Sequence, residues 1–226
     1  ERLTRSRPIA WCRMIEADVA AALGTGVKRL NLSIPLSEPL MRAKLGCLGP
    51  ERALQQLTRV VSHALDRGFE VHVGGEDASR ADSDFLCRAV VASQKAGAQR
   101  FRFADTLGVL DPFTTHAAFV RLRRETDLDL EFHGHDDLGL ATANTLAAVR
   151  AGATHVSVCV LGLGERAGNA ALEEVGAALG PLLGRRTGLV LTELPRLAAL
   201  VAGAARRTIP EGKAIVGANA FAHESG

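Results

Sequence analysis

Chemistry-bearing side chains gather in the stretch Leu130-Glu131-Phe132-His133-Gly134-His135-Asp136-Asp137-Leu138-Gly139. It reads as a buried strand that ends in a polar cluster and then opens a helix. Successive side chains on a strand alternate faces, so His133 and His135 share one face and Gly134 points away. Two imidazoles side by side at a strand end suit a single divalent cation. Asp136 and Asp137 follow where a helix N-cap is wanted, and Leu138 to Val149 carry apolar residues at helical spacing. The alternative is an ordinary polar strand end, because His-x-His alone is a weak signal. The carboxylates at the same end of the same element favour the cation.

The elements that must hold this cluster repeat along the chain. Apolar runs at Pro8–Cys12, Val27–Ile34, Phe69–Val73, Phe101–Ala104, Leu128–Phe132 and His155–Leu161 read as strands. Between and after them, helical spacing appears at Ala17–Leu23, Pro50–Arg67, Ala81–Ala96, Pro112–Arg124, Leu138 to Gly152 and Asn169–Leu183, with a further helix at Leu191–Arg206. Glycines stop most of the helices. The pattern is six strand–loop–helix units of roughly thirty residues, the size of a βαβ step, and implies a parallel sheet. The strands read as continuously apolar, as strands buried on both faces are.

Polar residues fall at the C-terminal ends of all six strands: Arg13, Ser33, Glu76, Thr106, His135 and Glu165. A TIM (β/α)8 barrel keeps its active site there. A doubly wound sheet also binds ligands at strand C-termini, but at one switch point, and no GxGxxG follows the first strand. The expected fold is therefore α/β, an incomplete (β/α)8 barrel over residues 1–190, with residues 191–226 as a helix and the start of a linker.

Composition narrows the function classes. Hydrophobic content of 47% and charged content of 23% describe a globular domain. A net charge of +2 gives no case for nucleic acid or an anionic membrane as partner. No apolar run reaches transmembrane length, and the start, Glu1 to Arg7, is charged and unlike a signal peptide. Cys12, Cys47, Cys87 and Cys159 form no CxxC, which argues against a zinc ribbon and fits a reducing cytoplasm. Cys12 and Cys159 read as buried small apolar residues. Both chain ends read as cuts.

His133-Gly134-His135-Asp136-Asp137-Leu138-Gly139 resembles the metal signature of the homocitrate and isopropylmalate synthases, metal-dependent barrel enzymes that condense acetyl-CoA with a 2-oxo acid. Gly162 to Glu174, with Gly162-Leu163-Gly164-Glu165-Arg166-Ala167-Gly168-Asn169, resembles the same family. Trp11-Cys12-Arg13, Glu76 to Asp82 and Phe103-Ala104-Asp105-Thr106 are most similar to the homocitrate synthases of nitrogen fixation. The resemblance spans nearly the whole chain. It places the six units as the third to eighth of the barrel, and an Asp-x-Thr-Leu-Arg-Asp-Gly-like motif on a strand that precedes them. The 226 residues alone are accordingly expected not to catalyse the condensation.

The resemblance also implies roles. His133 and His135 ligate a divalent cation (Mg, Mn or Zn), with Asn169 as a further ligand or, alternatively, the N-cap of its helix. Glu76 assists proton transfer, or serves as an N-cap or ion-pair residue. Thr106 donates its hydroxyl to the carboxylate of the 2-oxo acid, or makes a turn, with Asp105 orienting it; Asp77 is structural. The lysine-pathway homocitrate synthases hold the distal carboxylate with Arg and Ser where this chain has His72 and Gly74. His72 is thus expected to bind that anion or to be a packing residue. The Gly162–Gly168 loop cradles a phosphate or forms a turn, shaped by a Glu165–Arg166 ion pair. The implied reaction is acetyl-CoA plus 2-oxoglutarate and water giving homocitrate and CoA, by a full-length homodimer. Isopropylmalate or citramalate synthase, and a metal-dependent aldolase or lyase on the same barrel, remain open.

Overall fold

The computed structural model describes residues 6–45 and 49–223. The charged start at 1–5, Cys47 and the last three residues lie outside the described residues. Six strands, β1 (Ile9–Arg13), β2 (Arg29–Pro35), β3 (Glu70–Glu76), β4 (Arg100–Asp105), β5 (Asp129–Gly134) and β6 (His155–Ser157), form one parallel sheet in the order β1-β2-β3-β4-β5-β6. Strictly sequential order is an arc of a barrel; a doubly wound sheet would reverse its order at a switch point. The connecting helices are α1 (Glu16–Leu23), α2 (Glu38–Leu45), α3 (Pro50–Asp66), α4 (Ser83–Lys95), α5 (Pro112–Glu125) and α6 (Ala141–Arg150). After β6 come α7 (Leu172–Leu183) and α8 (Leu194–Ala205).

The strands are not apolar on both faces, as the sequence reading expects. β4 reads Arg-Phe-Arg-Phe-Ala-Asp and β5 Asp-Leu-Glu-Phe-His-Gly. Their apolar members, with Leu30, Leu32, Val71 and Val73, are buried against Leu57, Val60, Val61, Val90, Phe119 and Leu122 of the helices. Phe103, Phe119 and Phe132 form a ring cluster with centroids 5.5, 5.8 and 6.1 Å apart. The alternate positions point into the barrel lumen and carry Arg29, Glu70, Arg100, Arg102 and Glu131. The reason is that helices demand an apolar seat on the outside, while the lumen is a polar cavity where charges are paired or hydrated.

Local chemistry explains the boundaries. Asp82 caps α4 by accepting from the backbone N–H of Asp84 and Phe85 at 3.1 and 2.9 Å. Asp111 caps α5 in the same way, from Phe113 and Thr114, with Pro112 in the first turn. α2 has no counterpart in the sequence reading. β6 ends earlier than expected because a returning segment takes over its ladder: Cys159 N–H donates to the Ala170 carbonyl at 3.0 Å, and Cys159 pairs with Ala171. For the same reason α7 starts at Leu172, not at Asn169. Leu194 and Ala198 of α8, with Val216, pack on Val160 and Leu161 beyond β6. Among the described residues no helix is long and apolar enough to cross a membrane.

Candidate metal and substrate site

A cavity of about 350 Å³ opens at the C-terminal ends of the strands, and His133, His135, Asn169, Glu76, Thr106 and Arg102 are in its wall. β5 supplies the histidine pair. His133 Nδ1 lies 3.1 Å from Ser157 Oγ on β6, which fixes the ring, and the Nε2 atoms of His133 and His135 stand 3.2 Å apart. Two nitrogen ligands at about 2.0–2.1 Å from one ion are separated by about 2.8–3.4 Å between octahedral and tetrahedral angles. The pair therefore fits a shared cation. Burial first, then Arg102 and His135, pushes the His133 pKa down to about 3. Burial, followed by Arg166, lowers that of His135. Both rings are neutral at physiological pH, the form that ligates a metal.

Asn169 is placed by the glycine loop. Its residue pairs with His135 in an antiparallel bridge, and Asp136 N–H donates to the Gly168 carbonyl at 2.9 Å. Its Nδ2 donates to the Leu163 carbonyl at 2.8 Å and to Cys159 Sγ at 3.4 Å, so Oδ1 is left buried with no hydrogen-bond partner. An orphaned amide oxygen beside two converging imidazoles completes an oxygen-and-nitrogen donor set that fits a divalent cation. Asn169 caps no helix. The loop glycines serve close approach: a Cβ on Gly164 would lie 2.2 Å from Asn169 Nδ2, and one on Gly168, at φ +105°, would lie 2.1 Å from the Gly162 carbonyl oxygen. Among the described residues no three or more His, Cys, Asp or Glu are grouped so as to hold a metal ion, so a third ligand here has to be the amide of Asn169.

Across the cavity, Glu76 ends β3 and pairs with Lys44 of α2. Thr106 follows β4. Its Oγ1 accepts from the Asp77 N–H at 2.8 Å, so the hydroxyl hydrogen is free to donate elsewhere. Asp77 sits at φ 56° with its carboxylate buried between Ser37 and Arg80, a structural role, as expected. Arg166 clamps the site's rim. It holds the Asp137 carboxylate through Nε and Nη2 at 2.7 and 2.8 Å, and donates to the Thr106 carbonyl at 2.7 Å. Its contact with Glu165 is longer, 3.6 Å, so the main partner of Arg166 is Asp137 and not the neighbouring Glu.

Two expected substrate residues stand elsewhere. His72 is buried at the other end of the lumen, 3.4 Å from Glu70 Oε1 and beside Arg100, and is absent from the cavity wall. Burial and then Arg100 lower its pKa, so it offers no charge to an anion. Asp105 is fully buried and its carboxylate accepts from the Val109 and Leu110 N–H groups at 3.1 Å. It shapes the loop after β4 and makes no contact with the Thr106 hydroxyl. Cys159 is half-buried and takes a weak hydrogen bond from Asn169, not the inert packing expected. Sequence reasoning missed Lys44, Ser157 and Arg102; for Arg102 the period-two alternation of β4 was the available signal.

A family model described as HMGL-like matches residues 1–201. The chain is 50% identical over 221 residues to a homocitrate synthase of Frankia alni, covering 96% of this chain and 62% of that protein. It is 44% identical over 218 residues to 2-isopropylmalate synthase 2 of Caldanaerobacter subterraneus subsp. tengcongensis, covering 96% and 56%. Among solved structures, the HMG-CoA lyase of Bacillus subtilis superposes with a TM-score of 0.80 at 20% identity, over 93% of this chain and 74% of that one, a likeness of fold. The chain thus spans about three fifths of the length of the curated relatives it matches.

Proposed function

Since this chain belongs to the HMGL-like family, we propose that it is the cation- and 2-oxo-acid-binding part of an acyltransferase that condenses acetyl-CoA with 2-oxoglutarate and water to give homocitrate and CoA. The observation that carries the reading is the convergence of two neutral imidazole Nε2 atoms, 3.2 Å apart, beside the unpartnered Asn169 Oδ1 at the C-terminal mouth of the barrel. A divalent cation held by His133, His135 and Asn169 would act as a Lewis acid toward the keto oxygen of the 2-oxo acid.

The chain's own side chains would do the rest. Thr106 has a free hydroxyl hydrogen for the carboxylate next to the keto group. Glu76 would accept a proton from the acetyl methyl of acetyl-CoA, and the Lys44 ammonium keeps its carboxylate in place at the cavity wall. The resulting carbon nucleophile attacks the keto carbon, and thioester hydrolysis releases CoA. The relative in the isopropylmalate branch keeps a second 2-oxo acid in play, and the charged lumen favours an acid with a polar tail over a branched apolar one.

The test is thiol release from acetyl-CoA by the full-length protein with 2-oxoglutarate, 2-oxoisovalerate and pyruvate offered singly. Highest kcat/KM with 2-oxoglutarate is expected. A preference for 2-oxoisovalerate or pyruvate moves the protein to the isopropylmalate or citramalate reaction. No thiol release with any of them overturns the condensation itself.

A further inference from the structure

We infer that Arg102, with the side-chain amide of Asn31, is the receptor for the distal carboxylate of a dicarboxylic 2-oxo acid; the inference rests on the condensation reading above and assigns its specificity.

The charge balance of the lumen is the first argument. Below the mouth, three guanidiniums, of Arg29, Arg100 and Arg102, face two carboxylates, of Glu70 and Glu131, while the Glu76 carboxylate at the mouth is paired with Lys44. Arg29 Nε pairs with Glu70 at 2.6 Å. Glu131 is divided: Oε2 takes a hydrogen bond from Arg100 Nη1 at 3.1 Å, while Oε1 lies 3.2 Å from Arg102 Nε without an aligned hydrogen bond. Arg102 also donates from Nη2 to Ser157 Oγ at 2.8 Å. A half-paired, largely buried guanidinium at a cavity wall is stabilised by an arriving carboxylate, which it can grip through two parallel N–H groups. His72, neutral in the same lumen, does not compete for that anion.

The second argument is space and a second donor. Arg102 on β4 stands in register with Gly74 on β3. On the far side of Gly74, Asn31 of β2 is 6% exposed and its Nδ2 has no partner. A Cβ on Gly74 would lie 2.8 Å from that Nδ2, so a side chain there would close the gap that both donors border. Asn31, Gly74 and Arg102 are all in the wall of the cavity that holds His133, His135 and Thr106. Along the barrel axis, Arg102 lies one layer below: Ala104, not Arg102, is the register partner of His133, a step of two residues or about 6.6 Å of strand. A 2-oxo acid whose keto end meets the histidine pair therefore sends its tail down the lumen onto Arg102 and Asn31. A short tail ending in a carboxylate satisfies both; an apolar tail leaves buried donors unmet, which is strongly unfavourable.

The experiment is calorimetric titration of the full-length, Mg²⁺-loaded protein with 2-oxoglutarate and with 2-oxopentanoate, which has the same carbon chain and no distal carboxylate. The unsubstituted protein should bind 2-oxoglutarate the more tightly. Arg102→Met should weaken 2-oxoglutarate about 10–100-fold and 2-oxopentanoate by less than about threefold, and Arg102→Lys should recover part of the loss. If the unsubstituted protein binds both acids equally, the 2-oxoglutarate reading itself fails. If it discriminates and Arg102→Met discriminates as well, that reading stands and Arg102 is not the receptor. Should Arg102→Met not fold, Asn31→Leu decides by the same comparison: a selective loss for 2-oxoglutarate supports the receptor, and an equal loss for both acids removes it.

Discussion

The Nε2 atoms of His133 and His135 face each other at 3.2 Å, and only the His133 ring has its second nitrogen anchored, by Ser157; His135 Nδ1 is buried without a partner. Two neutral imidazoles can share one hydrogen between them, but a cation satisfies both at once. Mn²⁺ or Mg²⁺ should therefore raise the melting temperature of the full-length protein, and replacing both histidines with Ala should abolish that rise. An unaltered cation-dependent rise in the double variant would place the cation elsewhere.

Gly164 bears on the same site through space alone. An alanine there would press its Cβ onto Asn169 Nδ2 and turn the amide away. Residues that orient ligands commonly weigh about 10–100-fold in metal affinity, so Gly164→Ala should lower cation affinity by about tenfold while the fold melts cooperatively. Unchanged affinity would show that Asn169 Oδ1 is no ligand.

In the proposed condensation, proton transfer falls to Glu76, which Lys44 pairs with at the cavity wall. Glu76→Gln should cut kcat for thiol release by about 10²–10⁴, the usual range for a general base, with a smaller change in KM. Lys44→Met should lower kcat less, because the carboxylate stays at the cavity wall but loses the ammonium that holds it there. A Glu76→Gln enzyme of near-normal kcat would remove it from the chemistry.

His133 links stability to pH. Its folded pKa, about 3, lies below the ordinary imidazole value of about 6.5. Between these values the unfolded chain binds more protons, so the contribution is complete above about pH 6.5 and drains away as pH falls toward 3. The urea midpoint of the metal-free protein should drop between pH 7.5 and 5.5, where carboxylates barely titrate, and His133→Asn should flatten that slope. A wild-type midpoint constant over the interval would contradict the burial-driven shift.

What could be read from the sequence follows from how local each signal is. The strand–helix alternation and the shared face of His133 and His135 are set by neighbours within a few residues, and they appear where expected; the Asp82 and Asp111 caps are equally local. The partners of Glu76 and Thr106 are not: Lys44 lies 32 positions from Glu76, and Asp77 lies 29 from Thr106. Asp105 and His72 misled because a polar residue on a strand can face a loop amide or the far end of the lumen as easily as the cavity. Asn169 read equally well as a cap until the bridge to His135 delayed α7 by three residues.

The interleaving of Arg100, Arg102 with Phe101, Phe103 along β4 gives each strand two independent inheritances. Positions that seat helices answer to stability, and the positions between them answer to the ligand, so point changes can retune the lumen without disturbing the shell. Insertion of a single residue inside such a strand cannot: it would exchange the faces, sending phenylalanines into the polar cavity and guanidiniums beneath the helices. A change of length is tolerated only in the turns, and a change of ligand preference needs no more than substitution at the lumen-facing positions.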